Sequence, residues 1–211
     1  VPIDWHYYCD EIDLSAVRTF AEGESHMAVQ IETSRFEYQA KGSGSTMSVC
    51  SFQSAEGSAE RMVTARLKPG TEFQAGIIDV CKKHHIRQGY ISCCIGSLQK
   101  VTFCAAQKDD SVKIGARYVE PMEIPGPVQF VSGQGFICQS EDGEYVLHIH
   151  GTFSNWKNDR EIQVFDGHMM PEGNPVLVTM DLIINEVTGI KMLRKYDPDV
   201  EFVCYFPEPE Q

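Results

Sequence analysis

Apolar and polar residues alternate along most of the chain beyond residue 60. Alternation over four or more residues, or a short apolar run bounded by turn residues, marks a strand with a buried face. Such runs occupy residues 62–67, 90–95, 98–106, 128–139, 145–153, 162–166, 176–184 and 190–196. Turn clusters such as Glu141-Asp142-Gly143 and Glu172-Gly173-Asn174-Pro175 separate several of them. One stretch has a different period: after the turn Lys68-Pro69-Gly70, residues Phe73, Ile77, Ile78 and Cys81 recur at helical spacing. Thr71-x-x-Gln74 reads as a capping box opening this helix, which should run to about His85 before Gly89 releases the chain into the next strand. Most connections between strands are too short for helical crossovers. The expected class is therefore α+β, a mainly antiparallel sheet with one principal helix packed on it.

The first 58 residues follow another pattern. Leu14, Val17 and Phe20 stand at helical spacing behind Asp13 or Ser15, and residues 28–33 alternate as a strand. Lys41-Gly42-Ser43-Gly44-Ser45-Thr46 then begins a small-residue stretch through Ser58, which has the composition of a linker. The expected organisation is an extension or partial extra domain over residues 1–58, a main domain over 59–206 and a tail over 207–211. A flexible loop within one domain fits the same linker composition.

With 42% hydrophobic residues in 211, the chain can bury a full core, which excludes disorder as its overall state. Lys and Arg number 18 against 30 Asp and Glu, a net charge of −12, so the molecule as a whole repels DNA, RNA and anionic lipid unless one face gathers the basic residues. No run approaches the roughly 20 apolar residues that span a bilayer. Val1-Pro2-Ile3-Asp4-Trp5 has neither the basic nor the apolar segment of a secretory signal, so a cytoplasmic location is expected. The eight cysteines form no CxxC pair, and Cys81, Cys93, Cys94 and Cys104 sit in apolar runs, where a reduced thiol acts as a small buried hydrophobe.

The sharpest chemistry lies in Leu147-His148-Ile149-His150. On a strand, His148 and His150 share one face while Leu147 and Ile149 point to the other. His168 follows beyond the polar turn 154–159. A simple hairpin folded near Asn158 would set His168 opposite His148, and Asp166 opposite His150. Three neutral imidazoles with a fourth position open form the arrangement used for catalytic zinc, whereas structural zinc is usually closed by four ligands rich in cysteine. The expected cofactor is a divalent metal, zinc first, on His148, His150 and His168. Hydrogen-bonded histidines lining a half-buried sheet are the other reading of the same residues. Asp166 and Glu123 are the candidate acid/base groups, with Glu172 a further carboxylate in a turn-rich segment. His84 and His85 suit a helix C-terminus, where they cap carbonyls and meet the dipole.

The ordered series Arg66-Leu67-Lys68-Pro69-Gly70-Thr71, Gly89-Tyr90-Ile91, Ile95-Gly96-Ser97-Leu98, Gly126-Pro127-Val128, Gly135-Phe136-Ile137, Leu147-His148-Ile149-His150, Gly167-His168 and Arg194-Lys195-Tyr196-Asp197-Pro198 resembles the PPC domain, conserved in plants and prokaryotes. The resemblance covers about residues 60–200. It implies a mainly antiparallel α+β domain, assembly as a homotrimer, and a place for His148, His150 and His168 on the family's histidine positions. The fold is also similar to that of acetolactate decarboxylase, whose zinc is held by an HxH pair and a later histidine. That similarity implies a metal-dependent lyase or hydrolase acting on a small oxo- or hydroxy-acid. The alternative it carries is a DNA-associated regulator or a non-catalytic trimeric scaffold, since plant members pair this domain with AT-hooks. This sequence has no Arg-Gly-Arg-Pro core. Where plant members carry a Gly-Arg-Phe-Glu-Ile-Leu contact motif, this chain has Gly126-Pro127-Val128-Gln129-Phe130-Val131, without the Arg and the Glu.

Overall fold

The computed structural model describes residues 53–158 and 160–210. The helix and strand expected near residues 13–20 and 28–33 lie outside the described residues, as does most of the linker-like stretch. The elements in chain order are β1 (Ser58–Leu67), α1 (Phe73–His84), β2 (Gly89–Cys104), β3 (Ala106–Lys108), β4 (Ala116–Tyr118), β5 (Met122–Gln139), β6 (Tyr145–Asn158), β7 (Glu161–Met169), β8 (Val176–Thr188), β9 (Ile190–Asp197) and β10 (Phe202–Pro209).

The architecture is the expected α+β one, a largely antiparallel sheet with a single helix among the described residues. β2 is its hub. It pairs with β5 along most of its length, with β8 through Gly89–Leu98, and with the end of β7 through Phe103↔Met169 and Cys104↔His168. β5 pairs with β6 and β6 with β7, so β2, β5, β6 and β7 close on themselves. β1 edges the sheet beyond β8, and the β9–β10 hairpin joins through one parallel bridge, Gln139↔Leu193. No described helix is long and apolar enough to cross a membrane.

Two local expectations are corrected. Residues 90–95 and 98–106 were expected to be separate strands, yet β2 runs unbroken through Gly96. A Cβ at Gly96 would strike the Thr179 carbonyl oxygen, so this glycine marks a close approach of two backbones within the sheet instead of a turn. The capping box also fails to form. α1 has Glu72 at its N-cap with no side-chain cap. The buried Gln74 amide donates instead to the carbonyls of Met169 and Met170, at 3.0 and 3.2 Å. A capping box needs the Gln74 side-chain oxygen to accept from the Thr71 N–H, and that N–H donates instead to Lys68 O at 3.2 Å.

At the other end, His85 adopts a left-handed conformation (φ 58°). The Ile86 N–H donates to Cys81 O at 2.9 Å and the His85 N–H to Lys82 O at 3.2 Å, the paired closure of a Schellman motif. His85 thus caps through its backbone. Ile86 is fully buried just beyond it, and Phe73, Ile77 and Cys81 carry the buried stripe of α1.

The helix packs over Leu98, Phe130, Leu147, Ile149, Met180 and Leu182 in one continuous core. Its tie to the functional end of the sheet is Asn174, which is fully buried. The Asn174 side chain accepts from Thr102 N (2.8 Å) and donates to Met170 O (2.9 Å), while its own N–H donates to the Glu72 carboxylate (2.7 Å). These bonds fix the loop that leaves β7. All six described cysteines are free, and burial pushes the thiols of Cys81 and Cys138 up to about 12, as unreactive core residues require.

Candidate metal centre

The hairpin of β6 and β7 places the histidines. Along β6, Leu147 and Ile149 enter the core while His148 and His150 face away from it. The observed register pairs His150 with His168 and Thr152 with Asp166. The expected pairs, His148 with His168 and His150 with Asp166, are displaced by two residues. β6 continues through Trp156 to Asn158, with an irregularity between those two positions, and the reversal is tighter and later than the polar sequence suggests. Because side chains alternate with period two, a displacement of two keeps every histidine on its face.

The three rings form a nearly equilateral cluster, with centroids 5.1, 5.1 and 5.2 Å apart. One nitrogen from each lies within 4.8 Å of the others. The Nε2 atoms of His148 and His150 are 3.2 Å apart. Two nitrogens bound tetrahedrally to zinc at about 2.0–2.1 Å stand roughly 3.3 Å from each other, so this pair already has the spacing of two ligands. His168 supplies a second observation: its Nδ1 is buried without a hydrogen-bond partner among the described residues. The donor set fits a divalent ion that favours imidazole.

The rings are held in the form that can ligate. Burial, the Arg194 guanidinium and the neighbouring imidazoles lower His148 to about 4. Burial, His150 and Arg194 do the same for His168, also to about 4. Both are neutral at pH 7, with lone pairs available.

Around the cluster, Tyr118 lies against His168 with ring centroids 5.3 Å apart, and Phe202 packs on Tyr118. Phe136 stands opposite His148 in register and stacks on Tyr205 at 4.8 Å. Arg194 on β9 brings a guanidinium nitrogen to 3.2 Å from His148 Nδ1. Beneath the histidines, Gly133, Gly151 and Gly167 pair side by side on β5, β6 and β7. Their missing Cβ atoms let the rings of Phe130 and Phe103 press against the backbone, which seats the hairpin on the core.

The carboxylates divide. Asp166 shares an open cleft of about 230 Å³ with Ser132, Gln134, His150 and Thr152. Glu123 is bound instead by Lys100 at 2.7 Å, in register with Thr102. Glu172 lines a separate groove with Glu72, Gln74 and Ile78. Neither Arg194, which the sequence offers only as part of a family motif, nor Tyr118 is among the site residues expected from the sequence. Tyr118 lies on a three-residue strand with no alternation to reveal it, and Arg194 reaches the site only through the distant joining of β9 to β5.

An antiparallel α+β domain that gathers three imidazoles from one hairpin defines a class of β-rich proteins with a candidate three-histidine centre. More particularly, the chain belongs to the family of the Plants and Prokaryotes Conserved (PCC) domain, whose sequence profile matches residues 54–188. Solved structures agree in fold. A metal-containing protein from Archaeoglobus fulgidus is similar with a TM-score of 0.61 at 15% identity, over 74% of this chain and 99% of that one. A plant- and prokaryote-conserved (PPC) protein from Pyrococcus horikoshii gives 0.59 at 21% identity, over 76% and 100%. A candidate DNA-binding protein from Ralstonia eutropha JMP134 gives 0.53 at 20% identity, over 67% and 88%. No curated protein matches the chain in sequence.

Proposed function

We propose that this chain is a metal-binding member of its family, in which His148, His150 and His168 hold a divalent ion, zinc first among the candidates. The observation that carries this reading is the convergence of three imidazole nitrogens within 4.8 Å on one face of the β6–β7 hairpin. Three protein ligands leave a position for water or for a small oxo- or hydroxy-acid, which makes a lyase or hydrolase the matching activity. When bound, such an ion polarises a carbonyl or activates a water. Asp166, in the cleft beside His150, is placed to hold or move a proton there, and Ser132, Gln134 and Thr152 offer neutral hydrogen-bond partners. Glu123 would serve as a second acid/base group only after leaving Lys100.

Zinc should stabilise the native protein by mass action. At a free concentration about 1,000 times its Kd it adds about 4 kcal/mol, which raises Tm by roughly 8–16 °C for a domain of this size. Thermal unfolding of chelator-treated protein with and without added zinc reads this directly, and an unchanged Tm contradicts the reading.

The proposed assembly is a homotrimer working in the cytoplasm. Trp156, Ile162 and Val164, 64, 53 and 66% exposed at the end of the hairpin, are apolar surface that self-association would cover. A second reading, DNA binding, is favoured by the description of the Ralstonia relative and opposed by the net charge of −12. Sedimentation velocity with and without a short duplex tests both. We expect a trimer whose boundary does not move on adding DNA. A monomer removes the assembly, and a salt-sensitive shift with the duplex favours the second reading.

A further inference from the structure

We infer that Arg194 is the anion-binding residue of this site, released from His148 when the metal is held and then directed at the carboxylate of a small acid. The inference rests on the metal reading above. Arg194 and His148 share a hydrogen bond. A guanidinium has donors only, so at 3.2 Å from it His148 Nδ1 must accept. The neutral ring then carries its hydrogen on Nε2, the atom that faces His150 Nε2 at 3.2 Å.

A ring that gives its Nε2 lone pair to a cation carries its hydrogen on Nδ1 instead. Two donors would then face each other across the Arg194 contact. Metal and guanidinium therefore compete for the acceptor capacity of one imidazole, and metal loading breaks the Arg194 bond.

Among the described residues Arg194 has no other hydrogen-bond or ion-pair partner than His148. Among the described residues no carboxylate lies within ion-pair distance of Arg194, although the adjacent Lys195 is paired with Glu208 at 2.5 Å. Arg194 is half-buried on β9, opposite Tyr205 in register, so the released guanidinium is only partly exposed to water. A carboxylate is the partner its planar fork matches, in two parallel hydrogen bonds. With the fork beside the metal ligands, an acid carrying an oxygen next to its carboxylate can meet both groups at once. This assigns a substrate-selecting role to a residue beyond residues 54–188, the span of the family's sequence profile, and it couples anion binding to metal binding.

The test uses the full chain with cobalt in place of zinc, because the visible bands of the ion report a ligand entering its coordination sphere. Pyruvate and its uncharged amide, pyruvamide, are titrated separately, and cobalt content is measured on each sample. Charge-assisted hydrogen bonds of this kind predict a preference for pyruvate of about tenfold or more. Arg194→Gln should abolish the preference while keeping the cobalt, and Arg194→Lys, which retains the charge without the fork, should keep part of it. If circular dichroism shows Arg194→Gln misfolded, the partial preference of Arg194→Lys decides. Equal binding of the two probes to the wild type, or a full preference in a cobalt-loaded Arg194→Gln, overturns the assignment. A wild type that takes up no cobalt overturns the metal reading, and the role of Arg194 with it.

Discussion

Gly151→Ala is expected to cost about 3 kcal/mol, at the upper end of the usual range for overpacking a core. A Cβ on this residue would stand 2.5 Å from Cζ and 2.7 Å from Cε2 of Phe130, with Met169 Sδ at 3.4 Å. Phe130 cannot retreat. It is buried against the rings of Phe73 and Phe153, with centroids 5.5 and 6.5 Å away, so either the ring leaves its place or β6 lifts from the core. The second response moves His150, the preceding residue. Denaturant unfolding should show the midpoint falling with little change in slope. A variant within about 0.5 kcal/mol of the wild type, as for an ordinary surface substitution, would mean that Phe130 does not seat the hairpin as described.

His168→Phe should have effects of opposite sign on stability and metal. In the metal-free protein the buried His168 Nδ1 has no partner among the described residues, and a buried unsatisfied polar atom costs about 1–3 kcal/mol. Phenylalanine removes that atom, keeps a ring of similar breadth and retains the contact with Tyr118, so the metal-free variant should melt higher than the metal-free wild type. Its metal affinity should collapse. Structural zinc sites with four ligands supply about 10–16 kcal/mol, or roughly 3 kcal/mol per ligand, so losing one of three ligands predicts about a hundredfold weaker binding or more. Thermal unfolding without metal and competition with a calibrated chelator measure the two effects. A variant that melts lower and binds zinc as tightly as the wild type would assign His168 to packing alone. A rise in stability at the expense of a site is the mark of a residue retained for function.

Much of the site was legible because strand periodicity is a local property. His148 and His150 had to share a face once residues 145–153 were read as a strand, and Leu147 and Ile149 had to enter the core. The third histidine was legible through hairpin symmetry. Its exact partner was not, because polar residues through Asn158 suggested an earlier turn than the chain makes. The parts that stayed hidden depend on distant contacts or weak local signals. Gln74 looks like half of a cap until the carbonyls of Met169 and Met170 are brought to it. β10 contains Pro207 and Pro209, which demote a run read in isolation, yet those residues pair with Met192 and Ile190 on an edge strand, where proline is tolerated. Arg194 has no local pattern that announces a role, since its place beside His148 arises only when β9 meets β5.

The most direct test of the account is the metal content of the untagged protein, measured by elemental analysis beside a His148→Ala/His150→Ala double variant. Close to one transition-metal ion per wild-type chain, zinc first, is expected, and none in a folded double variant. A wild type that stays metal-free after reconstitution with zinc, or a double variant that holds as much metal as the wild type, contradicts it.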